Sequence, residues 1–393
     1  MLPCSPLPGS PRCCRSLAAG AAPARWPRAC CCPYRLLWRE LEDPTSVGLD
    51  LPPFGCRAPG GRLPPRPLLP VRTAVPLRHH TVQVPATSAN LGPGYDAYGL
   101  ALALHLTVRS VDRSAQADRV QASGEGREDL PAGDDNLLWR SFVAFCEDHD
   151  VAVPDVALRA TNRIPLERGL GSSSSAIVAG LALARAVTGT AIGDRELVTL
   201  ASSVEGHPDN VAPALLGGLV ACTADDRGRI VVRRINPIPT LRPILLVPAF
   251  RQATSHARGV LPRHLDAADV TLQASRAGHV LGALGGLWPV APGAGGDRLH
   301  EPARMQTMGP SGAVLAALRD EGLHAWLSGA GPSIAVAGGS SDRHDTICRE
   351  VADREGFAVR YLGVDLAGAL ACPDDGCALA GTPGCAQCPR ERL

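Results

Sequence analysis

The stretch RIPLERGLGSSSSAIVAGLALARA, Arg163–Ala186, sets a glycine- and serine-rich loop directly before an apolar run of small residues. The run reads as a helix that can be buried on every side, because it carries little bulk on any face. A helix start leaves its first backbone N–H groups without intrahelical partners and carries a partial positive charge. Gly169 and Gly171 can adopt angles closed to other residues and allow an anion close to those amides. Ser172 to Ser175 add hydroxyl groups that could orient a metal ion. The pattern suits a phosphate held on a fixed helix dipole. It is neither a Walker loop, since no lysine occurs in the chain, nor G-x-G-x-x-G. Taken alone, a loop of this kind is also an ordinary helix N-cap, so the rest of the chain has to decide.

Working outward, three more segments concentrate small, polar and charged residues between apolar elements. PATSANLGPGYD runs from Pro85 to Asp96, EGHPDN from Glu205 to Asn210, and LSGAGPS from Leu327 to Ser333. Singly they read as a tight turn, a capped helix joint and a β-turn. Around them the apolar period alternates between that of strands and that of helices. HTVQVPATSA predicts a strand that stops at Pro85, YGLALALHLTVRSV a second, and VALRATNRI a third. DNLLWRSFVAFCEDH is an amphipathic helix, and DRELVTLASSVEG a helix with Asp194 as N-cap. Residues 236–243, NPIPTLRP, mark a domain junction. Beyond it, ILLVPA is a buried strand, 266–283 and 310–323 are helices, and HAWLSGAGPSIAVAGG is strand, glycine turn, strand. Helices and strands do not strictly alternate, so the class is α+β.

The ends differ from the body. Residues 1–77 hold 16 of the 36 prolines and ten arginines against four acids, without helical or strand period, and predict a disordered Pro/Arg/Cys-rich extension. Residues 366–393 predict a second disordered tail, with Cys372, Cys377, Cys385 and Cys388. The net charge of +1 and the 4% aromatic content argue against nucleic-acid binding. No apolar run is long enough for a membrane span. Three isolated cysteines in the body, Cys146, Cys222 and Cys348, point to buried thiols in a reducing, cytoplasmic setting.

The four segments, in this order, resemble the GHMP kinase superfamily, and within it the homoserine kinases. The resemblance covers about residues 80–365. It implies a two-domain fold: an N-terminal domain at 78–236 like the second domain of ribosomal protein S5, and a ferredoxin-like C-terminal domain at 237–365. It implies ATP and Mg²⁺ as cofactors, with phosphate transfer to the side-chain hydroxyl of L-homoserine, a step toward threonine. Carried onto this chain, the ATP phosphate loop is Pro165, Leu166, Glu167, Arg168, Gly169, Leu170, Gly171, Ser172, Ser173, Ser174 and Ser175. Glu205 and a loop serine, Ser173 before Ser172 or Ser174, hold the metal. Asn90, Asp96, His207, Arg258 and Arg304 bind the amino acid, with Asp96 taking its ammonium and the two arginines its carboxylate. Thr254, Asp209 and Asn210 complete the catalytic set, and whether Asp209 is a base stays open. Tyr95 stands where Phe is commoner, Ser333 for a usual Thr, and Gln273 for a usual Asn. A mevalonate- or sugar-type kinase and a non-catalytic nucleotide-binding protein remain as alternatives. A homodimer is compatible with this reading, and the sequence does not fix the oligomeric state.

Overall fold

β1 (His80–Ala89), β2 (Tyr98–Asp112), β3 (Val120–Gly124) and β4 (Val156–Asn162) lie side by side in the order β1-β2-β4-β3. In this computed structural model the described residues are 78–374 other than 115, 253, 263 and 340; the expectations for 1–77 and 375–393 fall outside them. All pairings in the sheet are antiparallel except β3 with β4. α1 (Leu137–Asp148) connects β3 to β4, and α2 (Ser172–Thr188), α3 (Asp194–Glu205) and α4 (Pro208–Leu216) follow. β5 (Leu219–Ala224) pairs with β2 and with β6 (Ile230–Ile235).

Residues 236–241 then lead from β6 to β7 (Arg242–Val247) in a separate sheet. That sheet is completed by β8 (Ala325–Leu327), β9 (Ile334–Gly338) and β10 (Ala358–Tyr361), in the order β10-β7-β9-β8, all antiparallel. α5 (Thr254–Gly259), α6 (Ala267–Leu284), α7 (Glu301–Met305) and α8 (Pro310–Asp320) lie between β7 and β8, and α9 (Asp342–Glu355) precedes β10. The class is α+β, as the element order predicts.

α2 lies at the heart of the larger core. Ile177 to Ala184 are all buried along it, as are Phe142 and Phe145 of the facing α1. Each large apolar side chain so buried contributes roughly 1.5–3 kcal/mol. Gly180 allows the two helices to touch, since a Cβ there would lie 2.4 Å from the Leu138 carbonyl oxygen. Cys146, Cys222 and Cys348 are buried free thiols, and burial pushes them up to about 11, 12 and 12.

Three expectations need correction. β1 does not stop at Pro85 but runs to Ala89. The missing proline N–H falls where the register against β2 shifts, between Pro85 and Ala86, so no ladder bond is forfeited. α3 is capped by Gly193, while Asp194 sits inside the first turn and pairs with Arg185 at 2.8 Å. The body also does not end at 365. β11 (Leu370–Pro373) pairs antiparallel with β1, covering an edge strand that would otherwise expose unpaired backbone groups. Asp365 anchors that return, accepting from the Ala367 and Gly368 amides at 2.8 Å each and meeting His105 at 2.7 Å.

Candidate active site

The glycine–serine loop forms the N-terminus of α2. Gly169 and Gly171 have φ +70° and +67°, in the left-handed region. A Cβ on Gly169 would fall 2.1 Å from the Ser328 carbonyl oxygen, and one on Gly171 1.9 Å from Thr87 Oγ1. Only glycine fits either place. Ser173 Oγ donates to Glu205 Oε1 and Oε2 at 2.8 and 3.0 Å, and Ser174 Oγ to Oε1 at 2.7 Å. Carboxylate and hydroxyl oxygens thus meet at the helix start, a donor set that suits a hard cation such as Mg²⁺.

Part of the expected phosphate loop does other work. Ser175 is fully buried and donates to Pro85 and Gly171 carbonyls. Leu166 packs against Gly126, where a Cβ would lie 2.1 Å away. The Arg168 guanidinium donates to the carbonyls of Pro248, Leu166 and Ala249. It therefore clamps the loop to the 248–249 backbone, and burial lowers its pKa.

Glu205 ends α3, and Gly206 with φ +93° turns the chain into α4. His207 Nδ1 lies 2.5 Å from Asp209 Oδ1. Burial alone would depress the His207 imidazole, but the hydrogen bond and charge of Asp209 outweigh it and raise the pKa. Asp209 is 1% exposed. Asn210 Oδ1 accepts from Thr87 Oγ1 at 2.8 Å, and its Nδ2 lies 3.5 Å from Asp209 Oδ1.

The loop after β1 supplies the other wall. Asn90 is buried, and both ends of its amide are used: Oδ1 accepts from Asp96 N–H at 3.1 Å and Nδ2 donates to the Gly329 carbonyl at 2.8 Å. It shapes the loop that presents Asp96. Arg258, from α5, grips Asp96 with two bonds of 2.9 and 3.1 Å. Arg304, from α7, is 2% exposed and donates to Ala257 O, His300 Nδ1 and Gly329 O at 3.1, 3.2 and 3.1 Å. Burial pulls its pKa down.

One cavity of about 130 Å³ is lined by Asn90, Asp96, Pro165, Glu167, Arg168, Gly169–Ser174, Glu205, His207, Asp209, Asn210, Arg258 and Arg304. Residues far apart in the chain therefore converge on one cavity. Leu166 and Ser175 do not line it. Thr254 begins α5, but its side chain lies outside the described part of the structure. Ligand atoms of Asp96, His207 and Asp209 lie within 4.8 Å of one another, so two carboxylates and an imidazole cluster at one place in the cavity.

Several contributors carry no sequence motif. Asp297 Oδ2 accepts from the amides of Leu299, His300 and Glu301 and so fixes the start of α7, where Arg304 sits. An Asp four residues before Glu301 was the available signal. His300 also reaches the Gly92 carbonyl at 3.0 Å. Gln273, which stands for a usual Asn, donates to Pro93 O and Asp297 Oδ1 at 2.8 and 2.6 Å.

A fold of this topology, with a helix-start loop facing an acidic and a basic wall, defines a small-molecule kinase of the GHMP type. The family model "GHMP kinases N terminal domain" matches residues 136–218. Homoserine kinase of Streptomyces coelicolor is 40% identical over 297 residues, 74% of this chain and 94% of that protein. Homoserine kinase of Moorella thermoacetica is 40% identical over 256 residues, covering 64% and 85%. The crystal structure of homoserine kinase from Cytophaga hutchinsonii superposes with a TM-score of 0.65 at 24% identity, over 75% of this chain and 97% of that one. The chain belongs to the homoserine kinase family. Among the described residues, no helix is long and apolar enough to cross a membrane.

Proposed function

We infer that the protein transfers the γ-phosphoryl group of ATP to the side-chain hydroxyl of L-homoserine, giving O-phospho-L-homoserine for threonine synthesis. The observation that carries this is the convergence, in one cavity, of the α2 N-terminus, Glu205, and the Asp96, Arg258 and Arg304 set. Gly169 to Ser174 offer backbone amides and hydroxyls to the nucleotide phosphates. Glu205 and Ser173, with Ser174, hold Mg²⁺, which supplies charge neutralisation on the phosphates when bound. Asp96 takes the substrate ammonium, and Arg258 and Arg304 its carboxylate.

Asp209 serves His207 rather than the substrate hydroxyl: its Oδ1 is bonded to the imidazole and the group is buried. Asn210 orients the hydroxyl through its amide. Proton loss from the hydroxyl is late in a loose phosphoryl-transfer transition state, so positioning and electrostatics carry the reaction without a strong base. ADP release with homoserine, mevalonate, galactose and no acceptor tests the reading. Stimulation by homoserine alone is expected. Stimulation by mevalonate or galactose instead refutes the substrate, and nucleotide binding without turnover refutes the enzyme.

A further inference from the structure

We propose that Tyr95 is a positioning residue for substrate recognition: its hydroxyl holds Arg258 in place when Asp96 releases it. The inference rests on the amino-acid site just described. Before substrate arrives, Asp96 and Arg258 satisfy each other through two hydrogen bonds. A zwitterionic substrate that gives its ammonium to Asp96 and its carboxylate to Arg258 has to break that pair.

The two arginines differ in what remains. Arg304 has three partners apart from the Asp96 carboxylate, in Ala257, His300 and Gly329. Among the described residues, the only other side-chain hydrogen bond to Arg258 is from Nη1 to the Tyr95 oxygen, at 3.1 Å. Asp96 cannot serve both the ammonium and the arginine at full strength, so the phenol becomes the anchor of the guanidinium. Its ring adds a second hold. The Arg258 and Arg304 carbons lie 6.0 and 5.5 Å from the ring centroid, and a π face attracts both cations while they repel each other. The ring is itself braced by His300, at a centroid distance of 5.3 Å. Phenylalanine at this position would keep the ring contacts and lose the anchor.

Tyr95→Phe is therefore expected to raise KM for homoserine about fivefold, the scale of one partly exposed hydrogen bond to a charged group. The values of kcat, KM for ATP and Tm should stay close to those of the parent protein. Tyr95→Leu removes the ring as well and should raise KM further, by roughly another fivefold. A Tyr95→Phe variant with KM for homoserine within twofold of the parent overturns the proposal. So does a fall in kcat at unchanged KM, or an equal rise in KM for ATP. If the parent protein does not phosphorylate homoserine at all, the functional reading fails, which is distinct from an active parent with an indifferent Tyr95→Phe.

Discussion

Gly171→Ala should damage the protein at a single contact, and its cost can be worked out from that contact. Alanine at φ +67° carries a backbone penalty of roughly 1–2 kcal/mol. The new methyl would lie 1.9 Å from Thr87 Oγ1, far inside van der Waals contact, so Thr87 must move away. That breaks its 2.8 Å bond to Asn210 Oδ1, both groups being buried, and leaves a donor and an acceptor unsatisfied. Such a loss costs about 1–3 kcal/mol. The sum is roughly 2–5 kcal/mol, or a Tm lower by about 5–15 °C for a body of this size. Gly189→Ala is the control. It sits at the other end of α2 with φ +66°, and nothing lies within 4 Å of its Cβ position. It should show the backbone penalty alone and normal kcat. Calorimetry on both variants isolates the contact, and steady-state ADP release should show kcat reduced only for Gly171→Ala, because Asn210 loses its orientation. If the two variants melt together and turn over equally, the Thr87–Asn210 argument is wrong.

Glu205→Ala should lower kcat by about a thousandfold or more and abolish the magnesium dependence, since both serine hydroxyls lose their common carboxylate. A magnesium titration of residual activity checks this, and a normal titration curve would contradict it. Arg304→Met leaves the Ala257 carbonyl and the His300 Nδ1 without their donor, while Asn90 still serves the Gly329 carbonyl, and should cost roughly 2–4 kcal/mol in urea unfolding while raising KM for homoserine and sparing ATP affinity. Unchanged stability would mean that the Ala257 carbonyl and the His300 nitrogen find other donors. Asp365 is raised by its burial but lowered more by His105 and by the Gly368 and Ala367 amides, so its folded value lies below the ordinary 3.8. Its contribution is full above that value and disappears as pH falls through the depressed folded value. The stability gap between the parent and Asp365→Asn should therefore shrink between pH 6 and pH 3; a constant gap would assign the effect to packing.

The helix-start loop was legible because its chemistry is local: glycines at the turn, hydroxyls at the helix start and an apolar run behind them. The element order likewise gives α+β. The course of β1 past Pro85 was hidden, since a proline interrupts a ladder only where its N–H is needed, and the register shift at 85–86 removes that need. β11 was hidden too. The segment LACP has little strand character of its own, and its order comes from the open edge of β1, some 290 residues away in the chain. Within the site, the resemblance pointed to Asp96 and Arg258 but not to their mutual pairing. Arg168 shows the converse. It stands in the loop motif, yet its guanidinium is taken by three carbonyls, which no local pattern reveals.

LSGAGPS contributes less by binding than by joining. Trp326 Nε1 donates to Ser88 Oγ at 3.0 Å, and the Ser88 and Ser328 hydroxyls meet at 2.8 Å. Ser328 Oγ donates on to the Gly169 carbonyl at 2.7 Å, so the proton order along the chain is fixed from tryptophan to loop. Gly329 accepts from both Asn90 and Arg304 and donates to the Ala89 carbonyl at 3.2 Å. One short turn thus touches the glycine–serine loop, the loop that carries Asp96, and the arginine of α7. Every one of these hydroxyls and amides is buried, and a buried network of this kind is stable only when each member is satisfied. Moving the glycine–serine loop relative to Asp96 would break several bonds together. The physical consequence is that the Gly169 loop, the loop carrying Asp96 and α7 are tied into a single hydrogen-bonded unit. The close approach of Ser328 to Gly169, which no side chain at 169 would permit, is what brings that unit together.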